Sequence, residues 1–490
     1  MQLTHDGGRR NWAPAALAVG AIGAGLVIAR LPLAELILVL GAAAVLVATL
    51  AEPLLGIGAA LIVGPARAWL EIARPGIAPH IGQLVLLLAL AAWLASKLLQ
   101  RDFSVPLPPL LWSLVAFLLA GLVSLWDAVD IWAGTLEFAK WLQVLLVALV
   151  VLDALSSRSS EDSQDRRVWL TVGLLAASAL AQAGIGIWQF ALRGQGVENF
   201  AIDDRFYRAY GTFQQPNPFA GLLGIVGAVL VGIAMASAAD ALRARDGRRA
   251  LAIGAVAGGP ALVVLAGLIA SWSRGGWMAF VAAMATVVVL LPRRSRWGLA
   301  LVLVAAVLAV GLYSAGLMPA AIAGRLTSFF SYVRFEDVRG MGVTDTNYSV
   351  VERMAHWQAA LGMWRARFWR GVGLGCYEAA YADYRLILWP LPLGHAHNFY
   401  LNLLAEVGLP GLLVYLAWLG AQFIGLAVAS RRLAGWERGL AIGLAAAWTQ
   451  LAVHSLVDNL LVNNVHLHVG VLVALTAWTW SQASHASRRL

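Results

Sequence analysis

The sequence predicts an all-α polytopic membrane protein with 12 to 14 transmembrane helices, 14 being the preferred count, and three observations predict it. The chain's 490 residues are 60% hydrophobic and only 12% charged, against roughly a quarter charged in ordinary soluble proteins. The apolar residues fall in runs close to the ~20 residues that cross the hydrocarbon. The arginines gather in short clusters between those runs, so the net charge of +9 reads as positive-inside topology and not as a nucleic-acid surface. A single cysteine, Cys376, excludes an intramolecular disulfide and a thiolate metal cluster.

Taken in order, the first part (residues 1–167) holds runs Ala15 to Ala29, Leu33 to Leu50, Ile81 to Leu99, Leu107 to Trp126 and Leu136 to Leu152. The short Pro53 to Val63 run is the weakest, spanning at a tilt or re-entering. The first run leads directly into the next, so no cleavable signal peptide is expected. Glu137 and Lys140, three apart, are spaced to pair on one helix face. The central part (168–318) holds Val168 to Phe190, Phe219 to Ala238, Leu251 to Ala270, Trp277 to Leu291 and Leu299 to Leu317. A large, partly helical loop (319–396) follows, in which Val350, Val351, Met354, Trp357, Leu361 and Trp364 recur at helical spacing, as in an amphipathic helix lying on the membrane or capping a site. The last part (397–490) holds Leu412 to Ala429, Leu440 to Val453 and Val465 to Trp480, and Gly408-Leu-Pro-Gly411 is expected to break or kink the helix that carries it.

Putting the clusters Arg9/Arg10, Lys97/Arg101, Arg166/Arg167, Arg243 to Arg249, Arg293 to Arg296, Arg431 to Arg438 and Arg488/Arg489 inside brings three polar stretches to the outer face. The first is Arg208-Ala-Tyr-Gly211 running into Gln214-Gln-Pro-Asn217. Its arginine reads either as a phosphate ligand beside a helix start or as an interfacial residue meeting lipid head groups. The second is Ser271-Trp-Ser-Arg274-Gly-Gly276, where topology alone disfavours a cation. Arg274 is either a ligand group that glycines let the backbone approach, or a snorkelling side chain in a tryptophan belt. The third is His395-Ala-His397-Asn398. Histidine titrates near neutrality, as a general base must, and no acidic ligand or third histidine stands nearby in sequence, so no metal is expected. His466 and His468 fall in a later helix. Glu406 inside the apolar run needs a polar partner, and His454 with Asp458 either joins the site or caps a helix.

At these residues the chain resembles the O-antigen ligase family of multispanning glycosyltransferases. The pattern His397, Asn398, nine residues, Gly408, two residues, Gly411 carries the resemblance, together with the Arg208 loop, the Arg274 turn and the large outer loop before the histidine. One departure is Trp369-Arg370 before Gly371, where an apolar or Pro-containing segment is usual. The resemblance implies transfer of a glycan from polyprenyl (undecaprenyl) pyrophosphate to a hydroxyl of an acceptor, which is a saccharide (lipid A core or a glycan repeat) or a protein. It further implies an enzyme of the bacterial inner membrane, its site facing the periplasm, with no cofactor. His397, Arg208 and Arg274 are the implied catalytic residues, and Asn398, His395, Gln214, Asn217, Tyr400 and Arg353 the implied substrate-binding ones. A small-anion transporter, bicarbonate-like, is the alternative expectation.

Overall fold

A computed structural model describes residues 32–76, 80–156, 161–202, 206–319, 323–324, 337–344 and 347–486. The expected first span, Arg9/Arg10 and Arg488/Arg489 lie outside the described residues. The chain is built of helices: α1 (Leu33–Ala51), α2 (Pro53–Val63), α3 (Arg67–Ala73), α4 (Ile81–Gln100), α5 (Pro109–Ser124), α6 (Ile131–Ser156) and α7 (Glu161–Ala191). A two-residue antiparallel pairing, β1 (Ala201–Ile202) with β2 (Phe206–Tyr207), precedes α8 (Pro216–Arg243), α9 (Gly247–Ile253), α10 (Gly259–Ala270), α11 (Arg274–Leu290) and α12 (Ser295–Ser314). Next come α13 (Tyr348–Ala366), α14 (Tyr377–Tyr384), α15 (Phe399–Arg432), α16 (Gly435–His454) and α17 (Val465–Ala486).

Among the described residues nine helices are long and apolar enough to cross a membrane, and Glu35–Ala51 and Arg274–Leu290 are shorter apolar helices. The all-α polytopic expectation agrees with this. The weakest run fares better than its sequence suggests: α2 continues through a 3₁₀ turn into α3, so Pro53–Ala73 forms one apolar stretch of 21 residues.

At the centre stands α8, buried along most of its length and packed chiefly on α16. Small residues permit that approach, as they do between membrane helices generally: a Cβ placed on Gly232 would lie 2.2 Å from Gly443 Cα. Around this pair, α11 packs on α16, α10 on α7 and α8, α17 on α6, and α15 on α5. By contrast α12 touches little except α11, and Gly298 is its one buried residue. Such an apolar, outward-facing helix is suited to lipid.

The arginine clusters are more than topological markers. Arg438 is 0% exposed, pairs with Asp240 at 3.2 Å, and donates to the carbonyls of Leu290 and Leu291 at the end of α11. Arg431 donates to Pro292 and Arg293 carbonyls nearby. Cations here satisfy carbonyls that the last helical turn leaves open. The expected Glu137–Lys140 pair is present at 2.6 Å, and the lysine also donates to Leu461 O at 3.2 Å.

In the large loop, α13 departs from the expected amphipathic form. Its buried set includes Val350, Val351, Met354 and Trp357 as anticipated, but continues round the helix through Ala355, His356, Ala359, Ala360 and Met363. It packs against α14 and α15, and so caps the bundle instead of lying on a membrane face.

Gly408 explains the glycine of the His-Asn-x9-Gly pattern. It adopts φ +68° inside α15, which breaks the helix there as expected. The break frees two carbonyls and an N–H for the loop: Val372 N donates to Ala405 O at 2.9 Å, Gly373 N to Glu406 O at 3.0 Å, and Leu409 N to Phe368 O at 3.1 Å. Glu406 finds its polar partner in the same seam, accepting from Tyr377 N at 3.2 Å. A Cβ on Gly408 would lie 2.4 Å from Trp369 O, so the departure at Trp369-Arg370 falls on the backbone that seats the loop. Gly408→Ala is therefore expected to cost about 2 kcal/mol or more, from a left-handed alanine and a displaced Trp369 carbonyl. A lowered thermal midpoint with new proteolysis near residues 368–376 is the expected result, and an unchanged midpoint would contradict it.

Candidate functional site

Glutamines on an apolar helix set the first arginine in place. On α7, Gln189 Oε1 accepts from Tyr210 N at 3.1 Å and Gly211 N at 2.8 Å, its Nε2 donates to Gly211 O at 2.8 Å, and Gln182 Oε1 accepts from Thr212 N at 3.0 Å. The loop so held sends Ala209 N to Ala270 O at 2.9 Å and Arg208 Nε to Ser271 O at 3.1 Å. Arg208 is thereby fastened to the turn that carries Arg274.

That turn is shaped by serines. Ser273 caps α11, its Oγ accepting from Gly276 N at 3.2 Å and donating to Asn217 Oδ1 at 2.9 Å. Asn217 then donates from Nδ2 to Asp458 Oδ2 at 2.7 Å. From the loop side, Arg353 of α13 donates to Ser349 O at 2.7 Å, and Arg274 reaches Ser349 Oγ at 3.4 Å. Arg208, Asn217, Arg274, Ser349, Arg353 and His454 line one cavity of about 110 Å³. This is far below the roughly 300–1,000 Å³ of a drug-sized pocket, and suits a small charged group.

Beside it lie the histidines. His397 holds a left-handed backbone, φ +50°, a conformation uncommon outside glycine and found where the surroundings enforce it. Its N–H donates to His395 Nδ1 at 3.0 Å. Because that nitrogen accepts, a neutral His395 carries its proton on Nε2, which faces Asp458 at 3.7 Å. His397 Nδ1 faces the same carboxylate at 3.5 Å, which leaves His397 Nε2 as the nitrogen turned away from Asp458. Neither ring nitrogen of His397 makes a hydrogen bond among the described residues. Burial alone would raise the Asp458 carboxyl, but the His397 and His395 imidazoles and the Arg353 charge hold it well below the usual carboxylate range. Burial lowers His395 to about 4 despite Asp458. His356, on α13, is lowered to about 3 by burial and then by the neighbouring His397 and His395, so it stays neutral. Its ring stands edge-on to His397, 5.7 Å between centroids, and its Nδ1 is 2.9 Å from Tyr377 Oη.

His395, His397 and Asp458 each place one donor atom within 4.8 Å of the others. Asp458 thus supplies, from a distant turn, the acidic group whose absence near His397 in sequence argued against a metal. The reason given from sequence does not hold, although the carboxylate is also engaged by Asn217.

The structure joins Arg208, Arg274, Arg353, Asn217, His395 and His397, and places three other candidates in local bonds or outside the cavity lining. Asn398 Oδ1 caps α15, accepting from Tyr400 N at 3.1 Å and Leu401 N at 3.0 Å. Tyr400 Oη donates to Ala452 O at 2.8 Å. Gln214 takes a left-handed turn position, φ +59°, and does not line the cavity. Gln182, Gln189, His356 and the Asp458 contact escaped sequence reading, although two glutamines seven apart on an apolar helix are a usable signal. His466 and His468 serve packing, bonded to Gln143 and Ser178 at 2.9 Å each.

Larger cavities of about 1120 and 640 Å³ open at the other end of the helices, near Trp436 and Lys97 respectively. Trp436 and His454 stand near opposite ends of α16, so these spaces are remote from the histidines.

Residues 259–416, about a third of the chain, match a family model described as O-antigen ligase. This segment is similar to the O-antigen ligase family. No curated protein matches the chain. The O-antigen ligase segment contains Arg274, Arg353, His395, His397 and Gly408, and stops short of Arg208 and Asn217 on one side and His454 and Asp458 on the other. Folding brings those four residues to the same place. The O-antigen ligase match and the many apolar helices support a multi-pass membrane enzyme of ligase or polymerase type in general terms.

Proposed function

We propose that the protein transfers a glycan from a polyprenyl pyrophosphate to an acceptor hydroxyl, by single displacement with inversion. The observation that carries this reading is the arginine-lined cavity beside a histidine backed by a carboxylate. The acceptor oxygen bonds to the anomeric carbon while the bond from that carbon to the pyrophosphate oxygen breaks. The hydroxyl proton passes to His397 Nε2, as to a general base. Charge gathering on the departing pyrophosphate meets Arg208, Arg274 and Arg353, whose guanidinium groups stay charged and donate in a fixed fork. Fixed cations let the reaction run without a metal. The site lies at the end of the bundle opposite Arg431 and Arg438, and the positive-inside rule puts that end in the periplasm of a bacterial inner membrane.

The small-anion transporter finds no support in the family match, and a transporter holds its site near the middle of the membrane, not at one end of the helices. The test is a reconstituted reaction with a polyprenyl-pyrophosphate-linked glycan and candidate acceptors, a saccharide core, a glycan repeat and a protein, run with and without a chelator. Inverted product and released polyprenyl pyrophosphate are expected in both arms. No transfer to any acceptor would refute the reading, and activity lost to the chelator and restored by a divalent cation would give the His395, His397 and Asp458 cluster to a metal.

A further inference from the structure

His454 ends α16 beneath the arginine cavity and is 1% exposed. Both of its ring nitrogens lack a hydrogen-bond partner among the described residues. Such a side chain is costly, because a buried donor or acceptor without a partner forfeits the hydrogen bonds it made to water. Packing does not require a polar ring here, and leucine fills similar space. The ring is nevertheless wedged against the turn that carries Arg274: a Cβ on Gly275 would lie 3.1 Å from His454 Nε2. The same residue lines the cavity with Arg208, Arg274 and Arg353. Arg208, Arg274, Arg353 and the unpaired His454 imidazole surround one small space, a donor set suited to a phosphate-sized anion.

We infer that His454 is a ligand of the diphosphate group, donating a ring N–H to a phosphate oxygen that the arginines also hold. The inference rests on the proposed pyrophosphate site and deepens it, adding a neutral donor on a helix outside the family match. Histidine differs here from a fourth arginine in adding a hydrogen bond without more charge repulsion when the site is unliganded.

The experiment measures affinity for inorganic pyrophosphate and for a short-chain polyprenyl pyrophosphate, with thermal midpoints, in the wild type, His454→Leu, His454→Gln and Arg274→Ala. A hydrogen bond to a charged group corresponds to about ten- to a hundredfold in affinity. His454→Leu should lose that factor for both ligands, yet without ligand melt no lower than wild type, since a buried unpaired polar ring has been replaced by an apolar side chain. His454→Gln, which keeps an N–H donor, should recover part of the affinity. Unchanged affinity in His454→Leu while Arg274→Ala binds weakly would overturn the role of His454 alone. A loss confined to the polyprenyl ligand would place His454 on the lipid and overturn the inference as well. Failure of the wild type to bind either ligand would remove the pyrophosphate site itself.

Discussion

Replacing His397 by alanine is expected to slow transfer by about a hundred- to ten-thousandfold, the usual worth of a positioned general base, with donor affinity nearly intact. The separation follows from the geometry. His397 meets Asp458 at 3.5 Å, while the cavity that would hold the donor is lined by Arg208, Arg274 and Arg353 and does not include His397. The variant should bind inorganic pyrophosphate like the wild type and fail in turnover. Equal loss in binding would make His397 a donor ligand instead, and unchanged turnover would remove it from the chemistry. Neighbouring His395 cannot substitute, because its Nδ1 accepts from the His397 backbone and its Nε2 faces Asp458.

Asp458→Asn should lower turnover on a similar scale, about a hundred- to ten-thousandfold, as when an oriented imidazole is left in the wrong tautomer. Asn217 Nδ2 donates to one carboxylate oxygen at 2.7 Å and His397 Nδ1 faces the other at 3.5 Å. An asparagine whose oxygen serves Asn217 gives up the bond that the other carboxylate oxygen accepts from Asn459 N at 2.9 Å, and presents its amide N–H to His397 Nδ1. That nitrogen then becomes the acceptor, the proton moves to Nε2, and the base is spent before the acceptor arrives. Asp458 is thus a positioning residue, and pH profiles separate this from a structural defect. The neighbouring imidazoles hold its carboxyl below the usual range, so the charged form persists in the wild type throughout the working pH range. Its folded-state value is depressed, so its contribution to stability is complete above an ordinary carboxylate pKa of about 3.9 and is lost as pH falls through the lowered value. Asp458→Asn should flatten that acid-side loss, and Asp458→Glu should restore part of the turnover. Full activity in Asp458→Asn would show that His397 needs no such partner.

Much of the fold was legible because membrane crossing imposes a length on apolar runs, and most of the described helices begin and end near those runs, although α15 starts at Phe399, well ahead of Leu412. Pro53 to Val63 read poorly since its continuation, Gly64 to Ala73, contains Pro65, Arg67 and Glu71 and so looks like a loop. Arg208, Arg274 and His397 stood out as cations and a titratable ring at helix starts, where polar groups need a reason. His454 and Asp458 stayed open between joining the site and capping a helix, because nothing local distinguishes a carboxylate that faces a remote imidazole from one that caps its own turn. Asn398 shows the converse difficulty: a helix cap and a substrate ligand have the same sequence appearance, and its Oδ1 bonds to Tyr400 N and Leu401 N reveal the cap.

The turn bearing Asp458 lies between α16 and α17, two long helices after His397. Ribosomes deliver residues from the N-terminus onward, so a nascent chain receives Arg208, Arg274 and His397 before the carboxylate that His397 faces. On the proposed mechanism, a half-built chain holds the arginines and His397 without the carboxylate that orients the ring. Turnover on that mechanism waits until α15 and α16 are made and the turn after them folds back on His397.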